Sequence, residues 1–208
     1  MRWWIPILLA AALGGRSQAA DLTVAVRTPR GEPVRDAVVT LEPSAKTARP
    51  PVRFSWPQEV SQRDLQFDPF VLITPLGADV AFPNHDNVRH HVYSFSPAKR
   101  FELKLYAKGE APSVRFDKLG VVAVGCNIHD GMVAFIKVVD TPYAAKTDAS
   151  GVVVLHGVPA GAATLRVWHP YMRAPGNETA REVTLADGAN SETAGVELRA
   201  PPLRHSTY

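Results

Sequence analysis

An all-β fold is predicted by three features of this 208-residue chain. Short segments rich in β-branched and aromatic residues recur along it, Gly, Pro, Asp or Asn bounds each of them, and no segment carries a persuasive helical stripe. In order, the predicted strands are 22–26 (LTVAV), 36–43 (DAVVTLEP), 70–75 (FVLITP), 78–84 (ADVAFPN), 91–96 (HVYSFS), 101–107 (FELKLYA), 120–126 (GVVAVGC), 132–140 (MVAFIKVVD), 151–158 (GVVVLHGV) and 163–169 (ATLRVWH). Strands this short and this closely spaced pack as antiparallel sandwiches. Between Ser44 and Asp64 the chain turns Pro-rich and charged, which reads as a linker or long crossover, with the linker proper at 44–57. The end, 201–208 (PPLRHSTY), reads as a disordered tail.

The opening, MRWWIPILLAAALGGRSQA, has an early arginine, an apolar run from Trp3 to Leu13 and small residues from Ser17 to Ala20. That layout predicts a signal peptide over 1–19, and a secreted protein that is periplasmic in a Gram-negative bacterium. The run is too short for a comfortable membrane span, and no later segment approaches the length of one. With Arg2 and Arg16 removed, 21 Lys and Arg face 20 Asp and Glu, so charge gives no indication of nucleic acid as a partner. A hydrophobic content of 46% is ample for a core, and a single cysteine excludes an intrachain disulfide.

That cysteine, Cys126, stands in CNIHDGM, with His129 three residues on and Met132 three beyond. A soft thiolate, an imidazole and a thioether are donors that favour copper; Cys, two His and a weak axial Met make an electron-transfer site. The loop supplies three of the four between the end of one predicted strand and the start of the next. A second imidazole must come from elsewhere, and FPNHDNVRHHVYSFS offers His85, His90 and His91. Adjacent strand residues face opposite sides, so only one of His90 and His91 can point inward. His85, Asp86 and Asp130 read as turn polarity, and His156 and His169 as structural or surface residues outside this region. Met172 has no partner that the sequence identifies.

Residues 58–142 resemble the cupredoxins, in which the first histidine lies six residues after an Asn, as His90 does after Asn84. The Cys-x2-His-x2-Met spacing is similar to that of amicyanin. The resemblance implies a Greek-key cupredoxin sandwich holding one type 1 copper on His90, Cys126, His129 and Met132, with Asn84, His91 and Asn127 supporting the ligands. It also implies a one-electron carrier without substrate turnover of its own, served by a redox partner protein that supplies and accepts electrons. Two positions depart from the family pattern: Arg89 stands where a proline often precedes the histidine, and His91 where an asparagine commonly ties the two ligand loops together. A copper-handling, sensing or substrate-binding module is the alternative, and no Met-rich or His-rich tract favours storage. An adhesion domain with a vestigial site is a third reading, which the intact ligand set opposes.

The flanks, VAVRTPRGEPVRDAVVTLEP and KTDASGVVVLHGVPAGAATLRVWHP, resemble the two halves of a carboxypeptidase-regulatory-like, or transthyretin-like, β-sandwich. Residues 21–43 and 143–200 are therefore expected to form a second small sandwich, with the copper region inserted between its halves. The whole combination resembles periplasmic proteins labelled as methylamine-utilisation proteins.

Overall fold

The computed structural model describes residues 19–45 and 51–201. Most of the expected signal segment, the middle of the linker and the 202–208 tail lie outside these residues. Among the described residues there are 16 strands and one short 3-10 turn, Pro175–Asn177, and no helix long and apolar enough to cross a membrane. The fold is all-β, as predicted.

One half is built around a five-stranded sheet from β5 (Val71–Pro75), β7 (His90–Ser96), β8 (Lys99–Tyr106), β10 (Gly120–Cys126) and β11 (Val133–Val139). Its order is β5-β11-β10-β7-β8, antiparallel throughout except for the parallel β5–β11 pair. Facing it are the hairpin of β3 (Ser61–Arg63) and β4 (Gln66–Asp68) and the antiparallel pair of β6 (Ala78–Ala81) and β9 (Ser113–Phe116). Parallel bridges, Glu59 to Ala81 and Gln62 to Asn84, join the hairpin to the pair. Between the layers lie Phe82, Val92, Phe116, Val124 and Ile136, each at most 1% exposed. The strand period explains which residues they are. In β7, β10 and β11 alternate positions turn inward, so His90, Val92 and Ser94 share the buried side with Val122, Val124 and Cys126.

The other half combines the two ends of the chain. β1 (Ala19–Arg27) lies between β13 (Val152–Pro159) and β16 (Gly188–Gly195), and β2 (Val38–Pro43) between β12 (Ala144–Lys146) and β14 (Gly161–Trp168), which β15 (Glu178–Leu185) extends. Leu22, Val24, Leu41, Leu165 and Met172 meet in the core between these two sheets, which is the place Met172 takes. The turn into β13 shows how tightly the halves of this unit fit. Gly151 has φ 68°, and a Cβ there would meet Val26 O at 2.7 Å, while Asp148 Oδ1 accepts the Ser150 and Val152 N–H groups.

A third apolar cluster, including Val38, Val71, Ile73, Val139 and Trp168, covers the outer side of β5 and β11. Phe135 packs edge-on against Trp168 and Tyr171, and Lys137 Nζ reaches Glu178 Oε2 at 2.6 Å while lying over the Trp168 ring. The segment read as linker takes part: Phe54 stacks on Trp56, whose indole N–H donates to Ile73 O at 2.8 Å. The strands that the sequence reading passed over are short or polar. β15 (ETAREVTL) buries only Val183 and Leu185, and the turn of the β3–β4 hairpin, Asp64-Leu65, contains no glycine.

His169, 6% exposed, sits beneath this junction, where Tyr171 N–H donates to its Nδ1 at 3.2 Å. Burial pushes its pKa below the ordinary imidazole value, against the opposing pull of Asp36. A folded value below the unfolded one means that this residue supports the fold above about pH 6.5 and progressively less as pH falls below it. Chemical denaturation of the full chain should show stability dropping from pH 7 towards pH 5, with a shallower slope in His169→Asn. An unchanged slope would assign the acid sensitivity elsewhere.

Candidate metal centre

Register brings the first two donors together. Cys126, the last residue of β10, pairs with Val92 of β7, and His90 begins β7 two positions earlier on the same inward face. The loop after Cys126 then turns back. Asn127 N–H donates to His91 O at 3.0 Å, and Met132 N–H to His129 O at 3.0 Å, which closes a compact loop and returns His129 towards Cys126. His90 Nδ1 lies 3.7 Å and His129 Nδ1 3.6 Å from Cys126 Sγ, and the three donor atoms lie within 4.8 Å of one another.

These separations fit a shared ion. Metal–sulfur and metal–nitrogen bonds of about 2.3 and 2.0–2.1 Å, opened to between tetrahedral and trigonal angles, place S and N about 3.6–3.8 Å apart. Cys126 and His90 are buried and His129 partly so. Met132, 2% exposed, belongs to the same core cluster as Cys126. Burial is the largest influence on His129 and, with His90 beside it, holds its pKa below the ordinary imidazole value; nearby Asp86 pulls the other way. A neutral imidazole is the form that can offer a lone pair.

His91 points away from the cluster. Its Nε2 meets Glu102 Oε1 at 2.8 Å on the outer face of the sheet, and its contribution to the loop contact is its backbone carbonyl. Asn127 is exposed and likewise engages through its backbone N–H. Asn84 is buried and braces the histidine loop: its side-chain amide donates to Val88 O at 2.9 Å and to Tyr106 O at 3.3 Å.

Asp86, read from sequence as turn polarity, is bonded to the centre: its Oδ2 lies 2.8 Å from His90 Nε2. Partial burial pushes its carboxyl pKa up, but the bonds from His90 and from the N–H groups of Leu65 and Asp64 outweigh that and hold it below the ordinary value. An ionised carboxylate only accepts, so a hydrogen bond at this distance is one that His90 donates from Nε2. The signal available in sequence was an acid four residues before the histidine, in a turn with no periodicity to show where it points. His85 is exposed and outside the cluster, His156 pairs with Asp21 on the surface, and His169 lies at the junction described above.

No protein-family model matches this chain, and no curated protein matches it. Among solved structures it is similar to a purple cupredoxin from Nitrosopumilus maritimus, at 22% identity over 39% of this chain and 98% of that one, with a TM-score of 0.35. A copper-containing nitrite reductase from Thermus scotoductus SA-01 is 25% identical over 56% of this chain and 28% of that one, with a TM-score of 0.38. A mutant of amicyanin in its reduced Cu(I) form is 19% identical over 50% of this chain and 99% of that one, with a TM-score of 0.36.

His90→Ala should weaken Co(II) binding by more than the roughly 10–100-fold carried by an outer contact, whereas His91→Ala should leave it nearly unchanged. Competition titration against a chelator reads both. The reverse order would put the wrong face of β7 at the centre.

Proposed function

We propose that the chain holds one type 1 copper and carries single electrons between partner proteins. The observation that supports this most directly is the convergence of His90 Nδ1, Cys126 Sγ and His129 Nδ1, with Met132 buried in the same core cluster as Cys126. Copper held there would gain and lose one electron, with the thiolate and thioether suiting its reduced form and the imidazoles its oxidised form. The chain's own task is to change little as this happens. Cys126 and His90 are fixed by paired strands, His129 by the short loop that Met132 closes, and the surrounding core excludes water from the sulfur.

His129 is the most exposed of the three donors, and Ile128 beside it is 44% exposed, which makes this edge the proposed exit for electrons. A donor set completed by Met132 leaves no open position for a substrate, so we read the protein as a carrier and not an enzyme. Export through a cleaved signal peptide to the periplasm belongs to the same proposal. So does the division into a cupredoxin domain over 58–142 inserted in an accessory sandwich of 21–43 and 143–200. A place in methylamine utilisation would follow from the resemblance of the combined architecture alone.

Loaded with Cu(II), the protein should show an intense visible thiolate-to-copper band and narrow copper hyperfine splitting in its EPR spectrum, both lost in Cys126→Ser. A correctly folded but colourless protein that binds one zinc would overturn the assignment. Voltammetry separates a carrier from a copper-handling protein. A carrier gives a reversible couple and keeps its metal against a chelator in both states; copper released on reduction would favour the handling role.

A further inference from the structure

The turn between β3 and β4 has an unusual backbone for its residues. Asp64 and Leu65 have φ values of 54° and 56°, so a two-residue hairpin turn of the type that favours Asn-Gly is made here without glycine. The left-handed region is unfavourable for a residue such as leucine. The compensation comes from Asp86, 21 residues further along: Asp64 N–H donates to its Oδ1 at 2.7 Å and Leu65 N–H to its Oδ2 at 3.2 Å. The same Oδ2 accepts from His90 Nε2 at 2.8 Å. Asp86 N–H in turn donates to Asn84 Oδ1 at 2.9 Å, and Asn84 is anchored to Val88 and Tyr106. One carboxylate thus links the hairpin tip of one layer to a proposed ligand on the other.

We propose that the β3–β4 turn acts on the metal centre through Asp86, a positioning residue that fixes both the tautomer and the ring orientation of His90. The inference rests on the metal-site reading above but has a signature that needs no metal. Two backbone N–H groups aim the carboxylate, and the carboxylate requires the proton on His90 Nε2, which leaves the Nδ1 lone pair pointing at Cys126. Neutral imidazole that lacked this partner would populate both tautomers, and the one with hydrogen on Nδ1 cannot bind an ion there. Asparagine would not substitute. In either amide orientation its NH2 faces a backbone N–H, so one arm of the link is lost. Packing alone is the competing explanation, since the His90 side chain is fully buried.

Long-range 1H–15N correlation on the metal-free full chain, labelled at histidine, reads the tautomer directly. The wild type should show His90 as a single Nε2–H form. Asp86→Ala should give a mixture and a 10–100-fold loss of Co(II) affinity, the size expected of an outer-shell partner. Leu65→Gly keeps the N–H and suits the positive φ, so it should preserve both tautomer and affinity. Leu65→Pro has no N–H and cannot adopt the native φ, so it should loosen His90 as Asp86→Ala does without altering any side chain at the centre. A wild type with hydrogen on Nδ1, or an Asp86→Ala protein with unchanged tautomer and affinity, would overturn the proposal. A single Nε2–H form in a protein that binds no copper would leave it standing and remove the carrier reading instead.

Discussion

The pairing of β7 with β10 is the constraint from which the rest of the centre follows. Side chains alternate along a strand, so the Cys126–Val92 register places His90 and Cys126 on one inward face, and a slip of one residue would bring His91 inward and turn His90 to solvent. The loop that follows adds only six residues before β11 begins at Val133, and it is tied at both ends by backbone bonds to His91 O and His129 O. His129 therefore has little freedom to go anywhere but over Cys126.

The price of this arrangement is electrostatic. Cys126 Sγ faces His90 Nδ1 at 3.7 Å and His129 Nδ1 at 3.6 Å in a largely buried site, and a thiol can satisfy only one imidazole nitrogen as a donor. An ion at their focus would convert that conflict into three bonds, and its binding would then be coupled to the stability of this end of the sandwich. The surroundings are stiff enough to hold the donors in place. Asn84 and Tyr106 brace the loop before His90, and the second unit packs on β5 and β11 on the far side of the sheet from the core.

Much of this could be read from the chain. The all-β class follows from the short bounded segments; the two-residue period says only that one of His90 and His91 faces inward, and it is the spacing from Asn84 in the family resemblance that points to His90. The spacing of Cys126, His129 and Met132 fitted a strand-loop-strand unit. What escaped the sequence reading did so for local reasons. β15 and β16 are edge strands that bury few residues, so their composition is that of a polar loop. The β3–β4 hairpin lacks the glycine that normally signals its turn, because a distant carboxylate holds the backbone instead. That carboxylate, Asp86, sits among turn residues, and only the folded chain shows that it faces His90. His91 stands where an asparagine commonly ties the ligand loops together; here the tie is its backbone carbonyl, which no side-chain pattern reports.

Copper-edge X-ray absorption on the Cu(II)-loaded full chain tests the central claim most directly, because it counts donors by element and distance. The account predicts one short sulfur contact and two nitrogen contacts on the order of 2.0–2.3 Å, with the sulfur lost in Cys126→Ser and one nitrogen lost in His90→Ala. A first shell made only of nitrogen and oxygen, unchanged in both variants, would mean that His90, Cys126 and His129 do not share an ion.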